Sequence, residues 1–300
     1  MYNKHLATLA CALGMIGTAA TAQDFSKVEI KTTRLGETTY MMEGAGGNLG
    51  LSVGDDAVFL VDDQFAPLSE RISAAIAKIT AKPVKFLLNT HWHYDHTGGN
   101  ENFGKAGSII VAHENVRKRM SSEQFIEFMR TTVPASPAAA LPMVTFASSV
   151  TFHVNGEEVR AVHVPRAHTD GDAIVHFARS DVIHMGDTYF NGMYPFIDTS
   201  SGGTIDGVVA ACDRALAIAG DATRIIPGHG PLSNKAELRI YRDMLATVAA
   251  RIKKMIADGR KLEEITASDA TADFDEKWGK GFIKADKFRE MVAMNILKNR

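Results

Sequence analysis

A chain of 300 residues, 45% hydrophobic and 23% charged, has the composition of an ordinary globular protein. That excludes a disordered, collagen-like or coiled-coil chain. Its 33 basic and 35 acidic residues leave a net charge of -2, so no strong positive field exists to hold a nucleic acid, and no run of 18 apolar residues offers a membrane span.

The first 22 residues read as a secretory signal peptide. Lys4 and His5 form a short basic start, Leu6 to Ala20 is an uncharged apolar run, and Ala20-Thr21-Ala22 fits a small-x-small cleavage site. Cleavage after Ala22 makes Gln23 the mature N-terminus and places the mature protein in the periplasm or outside the cell. The competing reading is a disordered or membrane-anchored N-terminus. Cys11 leaves with the leader, and Cys212 remains alone, so no internal disulfide is expected.

Alternation predicts strands at Val28 to Thr33 and Thr38 to Met42, then at Asn48 to Val53 and Ala57 to Val61 around the turn Gly54-Asp55-Asp56. Pro67 opens a helix to about Thr80, with Leu68, Ile72, Ile76 and Ile79 at helical spacing. Phe86 to Leu88 and Ser108 to Ala112 are strands. Glu114 to Arg130 reads as a helix, with Phe125, Phe128 and Met129 on its core face. Thr131 to Pro142 is a proline-rich cover segment. Val150 to Val154 and Glu158 to Val164 form a hairpin around Asn155-Gly156. Ala173 to Phe177, Val182 to His184 and Arg224 to Ile226 are strands, and Ile205 to Ala219 is a helix. Glu237 to Ala257 is a long amphipathic helix that Gly259 ends. A helical extension follows from about residue 260. No repeat or linker divides the chain, so residues 23–300 read as one domain. Runs of strands with single helices between them suit an α/β, four-layer αββα sandwich.

Three of the eleven histidines fall in His91-Trp92-His93-Tyr94-Asp95-His96. Imidazole and carboxylate bind zinc and similar ions at about 2.0–2.2 Å. In a loop after a strand, His91 and His93 can point the same way, and Asp95 and His96 can turn toward a second ion. Three further segments each follow a strand: Pro165 to Gly171 with His168, His184 to Thr188 with Asp187, and Ile226 to Pro231 with His229.

With these segments in this order, the chain resembles the metallo-β-lactamase fold superfamily from about Val28 to Arg242. The resemblance implies two Zn2+ per chain, with Fe or Mn as alternatives. His91, His93 and His168 would form one metal site. Asp95, His96 and His229 would form the other, and Asp187 would bridge them. It also implies an enzyme: a metal-held hydroxide attacks a carbonyl carbon, with Asp95 orienting it and Asp187 holding the ions together.

Export, the long interval between His93 and His168, and a C-terminal extension without an obvious glutathione-binding basic cluster favour β-lactam opening. Aspartate at position 187 counts against it, because it is usual in glyoxalase II, lactonases and the RNase Z group. A lactonase, esterase or glyoxalase II-like thioesterase is therefore the alternative. A nuclease, a flavodiiron oxidoreductase, an iron persulfide dioxygenase and a non-enzymatic periplasmic metal binder fit less well. The expected partner is a small molecule, not nucleic acid or membrane.

His113, His153, His163, His176 and His184 are read as packing or surface residues. Asp62 and Asp63 are read either as a helix-entry cap or as groups orienting a ligand histidine. Asp172 is a weaker candidate. The loop after Asp187, with Tyr189, Phe190, Asn191, Met193, Tyr194 and Phe196, is read as packing or as substrate contact. Trp92 and Tyr94 are expected at the mouth of the site.

Overall fold

The computed structural model describes residues 24–299. The expected signal peptide, residues 1–22, lies outside them. The chain starts with β1 (Lys31–Arg34), β2 (Thr39–Glu43), β3 (Leu49–Val53) and β4 (Val58–Val61), then α1 (Ser69–Ala77) and β5 (Val84–Leu88). Next come α2 (Tyr94–Thr97), α3 (Asn100–Lys105), β6 (Ile109–His113), α4 (Glu114–Met120), β7 (Gln124–Ile126), β8 (Thr131–Val133) and β9 (Val144–Phe146). A second run holds β10 (Ser149–Val154), β11 (Glu157–His163), β12 (Ala173–Phe177), β13 (Val182–His184), α5 (Ile205–Ile218), β14 (Arg224–Ile226) and β15 (Ser233–Asn234). The chain closes with α6 (Lys235–Ala257), α7 (Leu262–Thr266), α8 (Ala272–Trp278) and α9 (Ala285–Lys298).

Two sheets result. The first has the order β1-β2-β3-β4-β5-β6-β9, and the second β10-β11-β12-β13-β14-β15. The period-two alternation of a strand explains the layering. In β4, Phe59 and Val61 point between the sheets and meet Val159, Val175 and Phe177 of the second. Val58 and Leu60 point outward onto Ile72 and Ile76 of α1. In the second sheet, Val182 and Ile226 face inward, while Ile183 and Ile225 face α5 and α6. Every residue of β4 is therefore buried, as expected for a strand covered on both faces. This is the four-layer αββα sandwich.

The C-terminal helices are not an appendage. Phe288 and Val292 of α9 and Trp278 of α8 share one apolar cluster with Tyr194, Phe196 and Ile197 of the loop after β13. They form the outer wall behind that loop.

Two expectations are corrected. The helix predicted from Glu114 ends at Met120, and Gln124–Val133 forms a small hairpin instead. β-Branched Thr131, Thr132 and Val133 favour the strand, and Arg130 takes a left-handed φ of 50° in the turn. Phe125, Phe128 and Met129 are consequently not core: they are 56%, 38% and 42% exposed. The cover segment also carries more structure than predicted, since β8 and a short 3-10 turn at Ala138–Ala140 lie within it.

Candidate metal centre

Four loops meet at one end of the two sheets. His91 and His93 follow β5, and His93 occupies the N-cap position of α2, which puts Asp95 and His96 in the first turn. His168 follows β11, in a turn that Asp172 closes by accepting from Thr169 N at 2.7 Å and Thr169 Oγ1 at 2.6 Å. Asp187 follows β13 in a 3-10 turn, and His229 follows β14. Strands β13 and β14 are parallel, as are β4 and β5, so their C-terminal ends deliver these loops together.

The seven side chains gather in two groups. His91, His93, His168 and Asp187 offer ligand atoms within 4.8 Å of one another, and so do Asp95, His96 and His229. Asp187 stands between the groups. Its Oδ1 is 3.0 Å from His96 Nε2, and its Oδ2 is 3.4 Å from His229 Nε2, 3.5 Å from His168 Nε2 and 3.8 Å from His91 Nε2. His229 Nε2 also lies 3.2 Å from Asp95 Oδ2.

The far side of each ring decides which nitrogen faces inward. Asp62 accepts from His96 Nδ1 at 2.8 Å and from the Thr90 hydroxyl at 2.7 Å, so that hydroxyl's oxygen is left to accept from His91 Nδ1 at 3.1 Å. His93 Nε2 donates to Asp198 Oδ2 at 3.0 Å, and His168 Nδ1 donates to the Phe196 carbonyl at 2.8 Å. That leaves His91 Nε2, His93 Nδ1, His168 Nε2 and His96 Nε2 pointing into the centre. Such outer partners fix tautomer and ring orientation in metal sites. Asp62 itself sits at φ 60°, a left-handed conformation that costs about 1–3 kcal/mol. The three contacts to Thr90 and His96 hold it there. Of its two sequence readings, orientation of a histidine is the one the geometry matches. Asp63 instead accepts from Gly99 N at 2.9 Å.

Electrostatics separate the two groups. Burial pushes His91 well below its ordinary range, with His96 adding to the effect, and takes His168 down to about 4. These rings are neutral donors at neutral pH. Burial also disfavours charge on His96 and His229, but Asp187 and Asp95 outweigh it, aided by Asp62 at His96. His96 is held well above its usual range and His229 is raised to about 10. Reciprocally, burial opposes ionisation of Asp95 and Asp187, yet His96 and His229 bring Asp95 down to about 2 and hold Asp187 well below its ordinary value. The second group is thus a pocket for positive charge.

The centre fits divalent ions on its own geometry. His91 Nε2 is fully buried without a hydrogen-bond partner. An orphaned buried polar atom costs about 1–3 kcal/mol unless a ligand satisfies it. The donor set is all nitrogen and oxygen, which suits zinc and permits iron or manganese.

The surroundings only partly match expectation. Trp92 is 3% exposed and points its Nε1 at Ser201 Oγ, 3.2 Å away, so it is packing; Tyr94 is 54% exposed. Tyr189 and Tyr194 are fully buried. Phe190 stacks on His229 with centroids 5.0 Å apart, and Phe196 lies 5.8 Å from His93 and 5.7 Å from His168. His184 is buried away from the cluster, donating to the Asn48 carbonyl. Asp198 escaped sequence reasoning entirely. The one available signal was its company: an acid in the Asp198-Thr199-Ser200-Ser201 turn of a loop already suspected near the site. Gly47 and Gly228 were also missed; a β-carbon on either would overlap His96 or Asp187.

The sequence profile of the metallo-β-lactamase superfamily matches residues 45–231. A hydroxyacylglutathione hydrolase from Polaromonas sp. is 23% identical over 193 residues, covering 64% of this chain and 66% of its own. One from Rhodospirillum rubrum is 31% identical over 125 residues, 41% of each chain. The chain therefore spans less than two thirds of the length of these relatives. Among solved structures, a metallo-β-lactamase from Pontibacter korlensis superposes with a TM-score of 0.60 at 19% identity, over 73% of this chain and 99% of that one. The four-layer fold, the His/Asp cluster at the strand ends and the profile match together place this chain in the metallo-β-lactamase superfamily, whose members are metallo-hydrolases.

Proposed function

We propose that the chain is an exported dizinc hydrolase that opens activated acyl bonds in small molecules, with the β-lactam amide as its foremost substrate class. The observation that carries this reading is the convergence of seven ligand-type side chains, five imidazoles and two carboxylates, on one centre at the strand ends.

His91, His93 and His168 would hold one ion, Asp95, His96 and His229 the other, and Asp187 both. When bound, the ions would supply Lewis acidity and lower the pKa of a water from 15.7 to about 7. The chain's own part is positional. Asp62 and Asp198 lock the tautomers of His96 and His93. Asp95 is an ionised carboxylate that reaches His229 and is only partly buried, so it can accept a proton at the open side of the centre. Phe190 and Phe196 keep an apolar flank against the histidines, which excludes water from that side.

A second reading is thioester hydrolysis. Aspartate at position 187 and the named hydroxyacylglutathione hydrolases favour it. One experiment separates the two. Zinc-loaded protein is given a chromogenic cephalosporin and, in parallel, a hydroxyacylglutathione thioester, each with and without chelator. Chelator-sensitive cephalosporin turnover near about 10 s⁻¹, the median enzyme rate, supports the first reading. Turnover of the thioester alone selects the second. Inertness toward both rejects these two readings.

A further inference from the structure

A cavity of about 750 Å³ opens beside the metal centre. That is the scale of small-molecule sites, about 300–1,000 Å³. Ile197, Ile283 and Met291 form its buried floor. Phe128, Phe282 and Met294 line it too, and they are 38%, 70% and 49% exposed. Large apolar side chains left in water around a concave surface mark a binding site.

The cavity is tied to the metal ligands from two directions. Phe128 on its wall packs on Phe196, 5.5 Å between centroids, and Phe196 in turn lies against His93 and His168. Asp198, also on its wall, holds His93. One aromatic ring separates the cavity from the first metal group.

The rim is basic. Lys287 pairs with Glu290 at 2.7 Å and Lys298 approaches Glu127 at 3.7 Å. Arg130 and Lys284 line the same cavity, and no salt bridge among the described residues involves either. Lys284, Lys287 and Lys298 of the C-terminal extension stand on this rim, with Lys287 and Lys298 facing acids. Uncompensated cations over an apolar floor complement an anion with an apolar body.

We propose that this cavity receives the apolar chain of an anionic amphiphile, its negative head held by the unpaired Arg130 and Lys284 of the rim. Each methylene the cavity buries should raise affinity about fourfold, the equivalent of about 0.8 kcal/mol, until the cavity is full.

The test is calorimetric titration of the metal-loaded full chain with dodecanoate and with butanoate, repeated on Met294→Glu and Lys284→Glu. Both positions are on the cavity wall and outside the metal cluster. Dodecanoate should bind at least 100-fold more tightly than butanoate, and each variant should weaken it tenfold or more. Equal binding of the two acids would overturn the proposal, because carboxylate capture by the metals alone would explain it. Dodecanoate binding unchanged in Met294→Glu would also overturn it. So would absence of binding together with a dimer that Met294→Glu converts to monomer in sedimentation, which would make the face an interface between copies. Binding as expected without turnover of any acyl substrate would reject the hydrolase reading and leave the cavity assignment standing. Turnover without dodecanoate binding would do the reverse.

Discussion

His93 Nδ1 and His168 Nε2 face each other at 2.8 Å, although each ring has already given its proton elsewhere, His93 to Asp198 and His168 to the Phe196 carbonyl. A metal ion held by both nitrogens would satisfy them, and Asp187 Oδ2, 3.5 Å from His168, adds negative charge at the same point. The strongest argument for a metal is therefore made by atoms behind the ligands as much as by the ligands.

It follows that Asp198→Asn should weaken metal binding without unfolding the protein. An amide accepts poorly from His93 and can present its own N–H to the ring, which turns the wrong nitrogen inward. Outer partners of this kind are worth about 10–100-fold in affinity or activity. Competition with a zinc-binding dye measures it, with far-UV dichroism as the folding control. Unchanged affinity would free His93 of its dependence on Asp198.

Backbone approach is equally tight. Gly47 lies against the His96 ring and Gly228 against Asp187. Gly47→Ala should displace His96, cost one metal equivalent and lower kcat by at least tenfold. Gly259→Ala, in a left-handed turn with open space around it, should strain the backbone but keep both metals. Metal analysis of the two purified variants checks the contrast.

Two histidines outside the cluster make stability depend on pH. His184 Nδ1 accepts from Gly186 N while its Nε2 donates to the Asn48 carbonyl. His113 Nδ1 accepts from Asn115 N while its Nε2 donates to the Ala147 carbonyl. A second proton on either ring would oppose an N–H. Burial, chiefly, holds both below their ordinary range. The unfolded chain then binds more protons below about pH 6.5, so this stability is full above that pH and is lost as pH falls. The slope cannot exceed about 1.4 kcal/mol per pH unit for each ring. Urea unfolding between about pH 5 and 6.5 should show His113→Gln with a shallower slope than the parent. An unchanged slope would remove His113 from the titration.

Export predicts processing. In a bacterial host the mature protein should be recovered from the periplasm with Gln23 as its first residue, read by intact mass. Full-length protein in the cytoplasm would contradict the leader reading of residues 1–22.

Much of the centre was legible in the sequence because ligand-type side chains are chemically distinctive and here follow strands. His91, His93, Asp95 and His96 share a single loop, and His168, Asp187 and His229 each follow a strand. The layers were legible in part from the runs of strands with single helices between them, but the histidine segments and the family resemblance they carry did most of that work. What was hidden depends on tertiary contact. Asp198 carries no signal of the imidazole it holds, since 105 residues separate it from His93. The stretch from Glu114 keeps helical spacing past Met120, yet Thr131 to Val133 pairs back onto Gln124 to Ile126, and the apolar residues between turn outward to wall a cavity. The α9 side of that cavity comes from the far end of the chain, which no local pattern connects to the histidine loop.

The most decisive measurement is a zinc titration of chelator-stripped protein, recording bound metal and hydrolysis of the active acyl substrate together. Hydrolysis should rise with metal and level off at two equivalents per chain, and Asp187→Ala should bind fewer and lose most of the rate. Saturation at one equivalent or fewer, or full occupancy of two without hydrolysis, would contradict the dizinc hydrolase.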